Sequence, residues 1–102
     1  MQAIDLTDKQ TVEVCDILRS VFANKSVKTW VFGSRATGRA RPYSDLDILI
    51  STPTPLDWRT RADLQDAFEA SNLPFHVDVV EESRLAPTLA PRVLSERQIL
   101  QF

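Results

Sequence analysis

Two short apolar runs, each bounded by residues that a strand interior rejects, constrain this chain more than any other feature. Trp30-Val31-Phe32 stops at Gly33-Ser34, and Leu46-Asp47-Ile48-Leu49-Ile50 starts behind Asp45. Side chains alternate faces along a strand, so Asp45 and Asp47 point one way while Leu46, Ile48 and Ile50 line the opposite, buried face. Two like charges about 4 Å apart repel by roughly 4 kcal/mol at an effective dielectric of about 20. Such a pair demands a proton or a cation. A hard divalent cation with oxygen ligands serves best, and Mg²⁺ characteristically takes one or two carboxylates together with phosphate oxygens.

Glycine usage locates the unusual backbone. The chain has 2 glycines, where average composition would supply about seven in this length. Both flank one segment, Ser34-Arg35-Ala36-Thr37, so the chain turns sharply there around some other group. Thr7-Asp8-Lys9-Gln10 fits a capping box, and the apolar spacing behind it predicts a helix from Asp8 to Phe22. Alternation predicts strands over Val27–Phe32, Asp45–Ile50 and Phe75–Val80. Ser34 is expected to cap a helical turn or two that Gly38 stops. A further helix from Leu56 to Ala70 is expected to carry Trp58, Ala62, Leu64, Ala67 and Phe68 inward. Beyond Ser83 the pattern weakens to a short helix over Arg92–Arg97 and a small edge strand over Ile99–Phe102.

At 102 residues the chain is expected to be one domain, residues 1–102, with a single core and no second substrate-binding lobe. Its net charge of −2 provides no basic field for gripping nucleic acid. No stretch approaches the roughly 18 consecutive apolar residues of a membrane span, and Met1-Gln2-Ala3-Ile4-Asp5 lacks the regions of a signal peptide. The expected location is the cytoplasm, with no membrane partner. The single Cys15 falls on the inward stripe of the first helix and reads as a buried thiol.

Asp78 sits between Val77 and Val79, an awkward place for a carboxylate unless something pairs with it. A neighbouring strand carrying Asp45 and Asp47 could share one or two Mg²⁺ ions with it, while the turn at Ser34 offers backbone N–H groups and a helix N-terminus to phosphates. The residues point to a nucleotide site. Gly33-Ser34, ten intervening residues and Asp45-Leu46-Asp47 resemble the G-S-x10-D-x-D signature of the polymerase-β-like nucleotidyltransferase superfamily. More narrowly, Val31-Phe32-Gly33-Ser34-Arg35-Ala36-Thr37-Gly38 and the Val77-Asp78-Val79-Val80 strand are similar to the minimal nucleotidyltransferases (MNT), the antitoxin partners of HEPN ribonuclease toxins. The resemblance covers residues 27 to 82 closely.

That resemblance implies an α/β fold with a small mixed sheet of three or four strands, helices on one face and the metal site on the other. It implies that Gly33 and Ser34 contact the β and γ phosphates of ATP, and that Asp45, Asp47 and Asp78 are the catalytic and metal-holding residues. Arg35, beside that turn, is read from its charge as a further nucleotide contact that steers the triphosphate. The chemistry would be in-line attack on the α-phosphorus, pyrophosphate leaving, with AMP passed to a tyrosine hydroxyl of a HEPN-type toxin bound in a hetero-oligomer. Two other readings stand beside it: an antitoxin that neutralises by occlusion, and a small-molecule enzyme like the aminoglycoside nucleotidyltransferases, whose extra domain this chain lacks. Individual residues also have plain readings. Arg39 and Arg41 read as solvated loop charges, His76 as a half-buried polar residue, Trp30, Trp58 and Phe68 as core, and Tyr43 as an exposed loop aromatic or a target of self-modification.

Overall fold

The computed structural model describes residues 4–23 and 25–102; Met1-Gln2-Ala3, part of the expectation about a leader, lie outside them. Thr7 starts the first helix. Its hydroxyl accepts from the Gln10 N–H at 3.1 Å while the Gln10 side chain accepts from the Thr7 N–H at 3.0 Å, a reciprocal cap that satisfies two otherwise orphaned donors. Helix α1 (Asp8–Val21) then turns Val14, Cys15 and Leu18 into the core. Cys15 is a buried thiol whose Sγ donates to the Gln101 carbonyl at 3.4 Å, and burial pushes its pKa upward.

The strands follow the alternation. On β1 (Lys28–Phe32) the buried residues are Thr29 and Val31; on β2 (Leu46–Ser51) Leu46, Ile48 and Ile50 share that side. On β3 (Val77–Glu81) the register places Val77, Val79 and Glu81 beside them. With β4 (Gln98–Ile99) the sheet runs in the order β3-β2-β1-β4, antiparallel except for the parallel pair β2 and β3. A parallel neighbour demands a crossover. Helix α3 (Trp58–Glu69) makes it, started by Asp57, whose carboxylate accepts from the Thr60 N–H at 2.8 Å.

One cluster joins the α1 and α3 side chains to the inner face of the sheet, Leu18, Leu64 and Phe68 meeting Val31, Ile48 and Ile50. Each fully buried aliphatic side chain contributes about 1.5–3 kcal/mol. An exposed pair such as Arg19–Asp16, at 2.9 Å, belongs to a class worth under about 1 kcal/mol, so burial decides the fold.

Several expectations need correction. Trp58 is 71% exposed, with the Arg59 guanidinium 5.6 Å above its ring, and Ala62 faces solvent too. The inward stripe of α3 is Thr60, Leu64 and Phe68, spaced by four residues, because the cap at Asp57 leaves Trp58 at the helix entrance. The outer face of the sheet is not bare along its whole length. Leu49 lies there, fully buried and outside the main cluster, and the Arg97 guanidinium stacks 4.1 Å over Trp30, the register partner of Leu49. Arg97 follows α4 (Ala90–Glu96), which begins two residues before the expected helix, and a 3₁₀ turn at Glu82–Arg84 was not anticipated. The last strand is shorter and earlier than the expected Ile99–Phe102. Among the described residues no helix is long and apolar enough to cross a membrane.

Candidate active site

The register of three strands builds the site. Phe32, the last residue of β1, pairs with Asp47 on β2, and Asp47 pairs with Asp78 on β3. Gly33 follows immediately with φ +74° and ψ −153°, then α2 (Ser34–Thr37), which Gly38 ends with φ +79°. An ideal Cβ built on Gly33 would overlap Asp47 Oδ2 and lie 3.4 Å from Asp47 Cγ. The group that the glycine admits so closely is therefore a carboxylate of the protein itself. Asp45 stands two residues ahead of Asp47, just outside the strand, and both Asp45 and Asp78 are exposed.

Asp47 is the half-buried member. Its pKa is raised from 3.8 to about 6, first by burial, then by the charges of Asp78 and Asp45, with His76 acting in the opposite sense. His76 is exposed, and its carbonyl accepts from the Leu46 N–H at 2.9 Å, locking the entrance of β3 to that of β2. Repulsion between neighbouring carboxylates is what a cation relieves. Among the described residues no group of three His, Cys, Asp or Glu side chains is placed to hold a metal ion, so Asp45, Asp47 and Asp78 do not converge on one centre as the sequence led one to expect. The register pairs Asp47 with Asp78, and two carboxylates fit Mg²⁺, which takes one or two and fills its shell with substrate oxygens and water.

Ser34 is the first residue of α2, with Gly33 at the cap position, which corrects the expectation that Ser34 does the capping. The Ala36 and Thr37 N–H groups bond to the Gly33 carbonyl at 3.0 and 3.2 Å. With 4 residues, α2 carries a small dipole, so any phosphate held here would depend on individual N–H groups.

Arg35 departs from its expected role as a nucleotide contact. It is 4% exposed and its guanidinium donates to the carbonyls of Ser44, Asp5, Arg41 and Pro42 at 2.8–3.3 Å. It also lies 4.0 Å over the Phe75 ring. Arg39, Arg41 and Tyr43 are exposed. Sequence reasoning also missed Glu81, 8% exposed, which accepts from the Leu56 N–H at 3.0 Å and faces Arg84 at 3.4 Å and Arg61 at 3.8 Å. Its position two residues beyond Val79 on the inward phase of β3 was the available signal.

A mixed four-stranded sheet that sets Asp47 of β2 beside Asp78 of β3, with a glycine turn against Asp47, has the architecture of a nucleotidyl-transfer enzyme. The chain belongs to the nucleotidyltransferase domain family, whose model matches residues 13–100. It is 38% identical over 78 residues to a probable protein adenylyltransferase, MntA, of Haemophilus influenzae, an alignment covering 76% of this chain and 67% of that protein. A crystal structure of a toxin-antitoxin complex with AMP-PNP contains a chain of the same fold, with TM-score 0.71 and 25% identity over 89% of this chain and 72% of that one. A structure assigned as a minimal nucleotidyltransferase matches at 34% identity and TM-score 0.65, covering 88% of each chain.

Proposed function

We propose that the chain, as a single domain over residues 1–102, is a Mg²⁺-dependent protein adenylyltransferase. It moves AMP from ATP to a tyrosine hydroxyl of a HEPN-type toxin and so acts as its antitoxin in a hetero-oligomer. The observation that carries the reading is Asp47, held abreast of Asp78 across a parallel register and pressed against Gly33. Support comes from the 38% identity to a protein adenylyltransferase and from the likeness to a toxin-antitoxin complex containing AMP-PNP.

In this reading Asp45 and Asp47 hold the ions, and Asp78 completes the set and takes the proton from the attacking hydroxyl. Bound there, Mg²⁺ supplies charge neutralisation at the phosphates. Gly33 and Ser34 orient the β and γ phosphates through backbone N–H groups, leaving the α-phosphorus open to in-line attack with pyrophosphate departing. Positioning and neutralisation provide most of the rate. The exposure of Asp45 and Asp78 leaves the shelf open to an acceptor on another protein.

The test is intact-mass spectrometry of the purified toxin after incubation with this protein, ATP and Mg²⁺, alongside rescue of cell growth. Mass should rise in AMP increments, and the modified toxin should stay inactive once the antitoxin is removed. Asp45→Asn/Asp47→Asn should fold, leave the toxin mass unchanged and fail to rescue. Full rescue by that double variant, without a mass shift, would show neutralisation by occlusion and overturn the proposal.

A further inference from the structure

We infer that Arg35 is a positioning residue that sets the carboxylates through the backbone and does not touch the nucleotide. The guanidinium reaches three separate stretches of chain. Nη1 donates to the Asp5 carbonyl at 2.8 Å, while the Asp5 N–H donates back to the Arg35 carbonyl at 2.8 Å. Nη2 reaches the Arg41 and Pro42 carbonyls at 3.3 and 3.1 Å, and Nε reaches the Ser44 carbonyl at 3.0 Å. Four hydrogen bonds thus occupy a group that has about five N–H donors in all. The face of the guanidinium lies on Phe75 at 4.0 Å.

One of these partners adjoins the site and another lies close to it in sequence, while Asp5, Arg41 and Pro42 fix the guanidinium from outside it. Arg35 itself follows Ser34, Ser44 precedes Asp45, and Phe75 stands three residues before Asp78. Among the described residues the loop from Arg39 to Ser44 is otherwise held by the Arg39 N–H donating to the Ser34 carbonyl at 3.0 Å and by a turn in which the Arg41 N–H donates to Ser44 Oγ at 2.8 Å and the Ser44 N–H donates to the Arg41 carbonyl at 3.0 Å. A planar fork can bond carbonyls lying in several directions and still stack on a ring; an ammonium on a flexible stem cannot. The burial of a full positive charge, stabilised by carbonyl oxygens and an aromatic face, is therefore explained by the geometry it imposes on the lead-in to Asp45.

The inference rests on the nucleotidyl transfer proposed above, and its test separates the two. Parent and Arg35→Lys proteins are compared for AMP transfer, for AMP-PNP affinity in EDTA, and for amide hydrogen exchange. Lysine keeps the charge but not the fork, so kcat should fall by about 10²-fold, the penalty for an ångström of misplacement. AMP-PNP affinity in EDTA should stay within about twofold of the parent, because no phosphate contact is lost. The amides of Ser44, Asp45 and Leu46 should exchange faster while those of α3 keep the parent rate. A metal-free AMP-PNP Kd raised about tenfold or more, with exchange unchanged, would make Arg35 a phosphate ligand and overturn the inference. Parent-like kcat and exchange in Arg35→Lys would overturn it as well. Should that variant not fold, Phe75→Leu, which removes the ring beneath the guanidinium but keeps an apolar side chain, carries the same expectation and the same refutation. Absence of AMP transfer by the parent would instead overturn the proposed function, leaving exchange and binding to decide Arg35.

Discussion

Replacing Gly33 by alanine adds one carbon at the point where the turn meets Asp47. The backbone there, φ +74° and ψ −153°, lies in a region essentially restricted to glycine, and holding another residue in it costs about 1–3 kcal/mol. The new Cβ also overlaps Asp47 Oδ2, so either the carboxylate swings away or the turn opens. A loss of about 2 kcal/mol lowers Tm by roughly 8–16 °C in a domain of this size. Displacing a metal-holding carboxylate should in addition reduce AMP transfer by at least about 10²-fold. Gly38→Ala is the matched control. Its φ of +79° and ψ of 16° are left-handed, a conformation that costs a non-glycine residue about 1–2 kcal/mol, yet Gly38 ends α2 and does not abut a carboxylate. Both variants should melt early by calorimetry, and only Gly33→Ala should lose turnover when assayed well below both midpoints. Parent-like transfer by Gly33→Ala, or an equal loss in Gly38→Ala, would refute the reasoning.

Two other outcomes follow from the half-buried Asp47 and the buried Glu81. The pKa of Asp47 in the folded protein, about 6, lies above its ordinary value of 3.8, so the unfolded chain gives up this proton first and stability is lost as pH rises through about 6. Without metal, Tm of the parent should fall relative to Asp47→Asn as pH rises from about 4 to about 6 and run level above that, and Mg²⁺ should offset the fall; parallel curves for the two proteins across that window would contradict this. Glu81→Ala leaves the Leu56 N–H without the acceptor it has at 3.0 Å, at a cost of about 1–3 kcal/mol. Urea unfolding should record that loss while AMP transfer per folded molecule stays at the parent value.

The parts of the fold legible in the sequence were those governed by a local rule. The capping box fixed α1 to within a residue of its end, and period-two alternation stopped by Gly33 located β1 and β2. The same alternation predicted a common direction for Asp45 and Asp47; Asp45 lies just outside β2, and its charge acts on Asp47 from there. What alternation does not carry is which strands are neighbours, so the abreast placement of Asp47 and Asp78 became definite only in the register. Helix α3 shows a second limit. Trp58 is the most apolar-looking residue at its start, but helix phase is set by the majority stripe of Thr60, Leu64 and Phe68, and a tryptophan at the entrance can stack on Arg59 in water. Arg35 shows a third, since charged side chains are almost always solvated and nothing local announces a cage of carbonyls drawn from Asp5, Arg41, Pro42 and Ser44. Glycine at position 33 was read correctly as a place of close approach, although the approaching group is Asp47.

Among the described residues strand β3 closes one end of the sheet, paired with β2 alone. Its free rim offers main-chain donors and acceptors to any extended chain, and a valine-rich strand is the kind that stacks with copies of itself. Asp78 sets an exposed charge beside that rim near the start of the strand. The carboxylate that crowds Asp47 thereby also repels a second molecule arriving edge to edge. Colloidal solubility and the crowding of the acidic shelf are tied to the same side chain, so a variant that removes the charge of Asp78 should be harder to keep dispersed at high concentration even where its fold is intact.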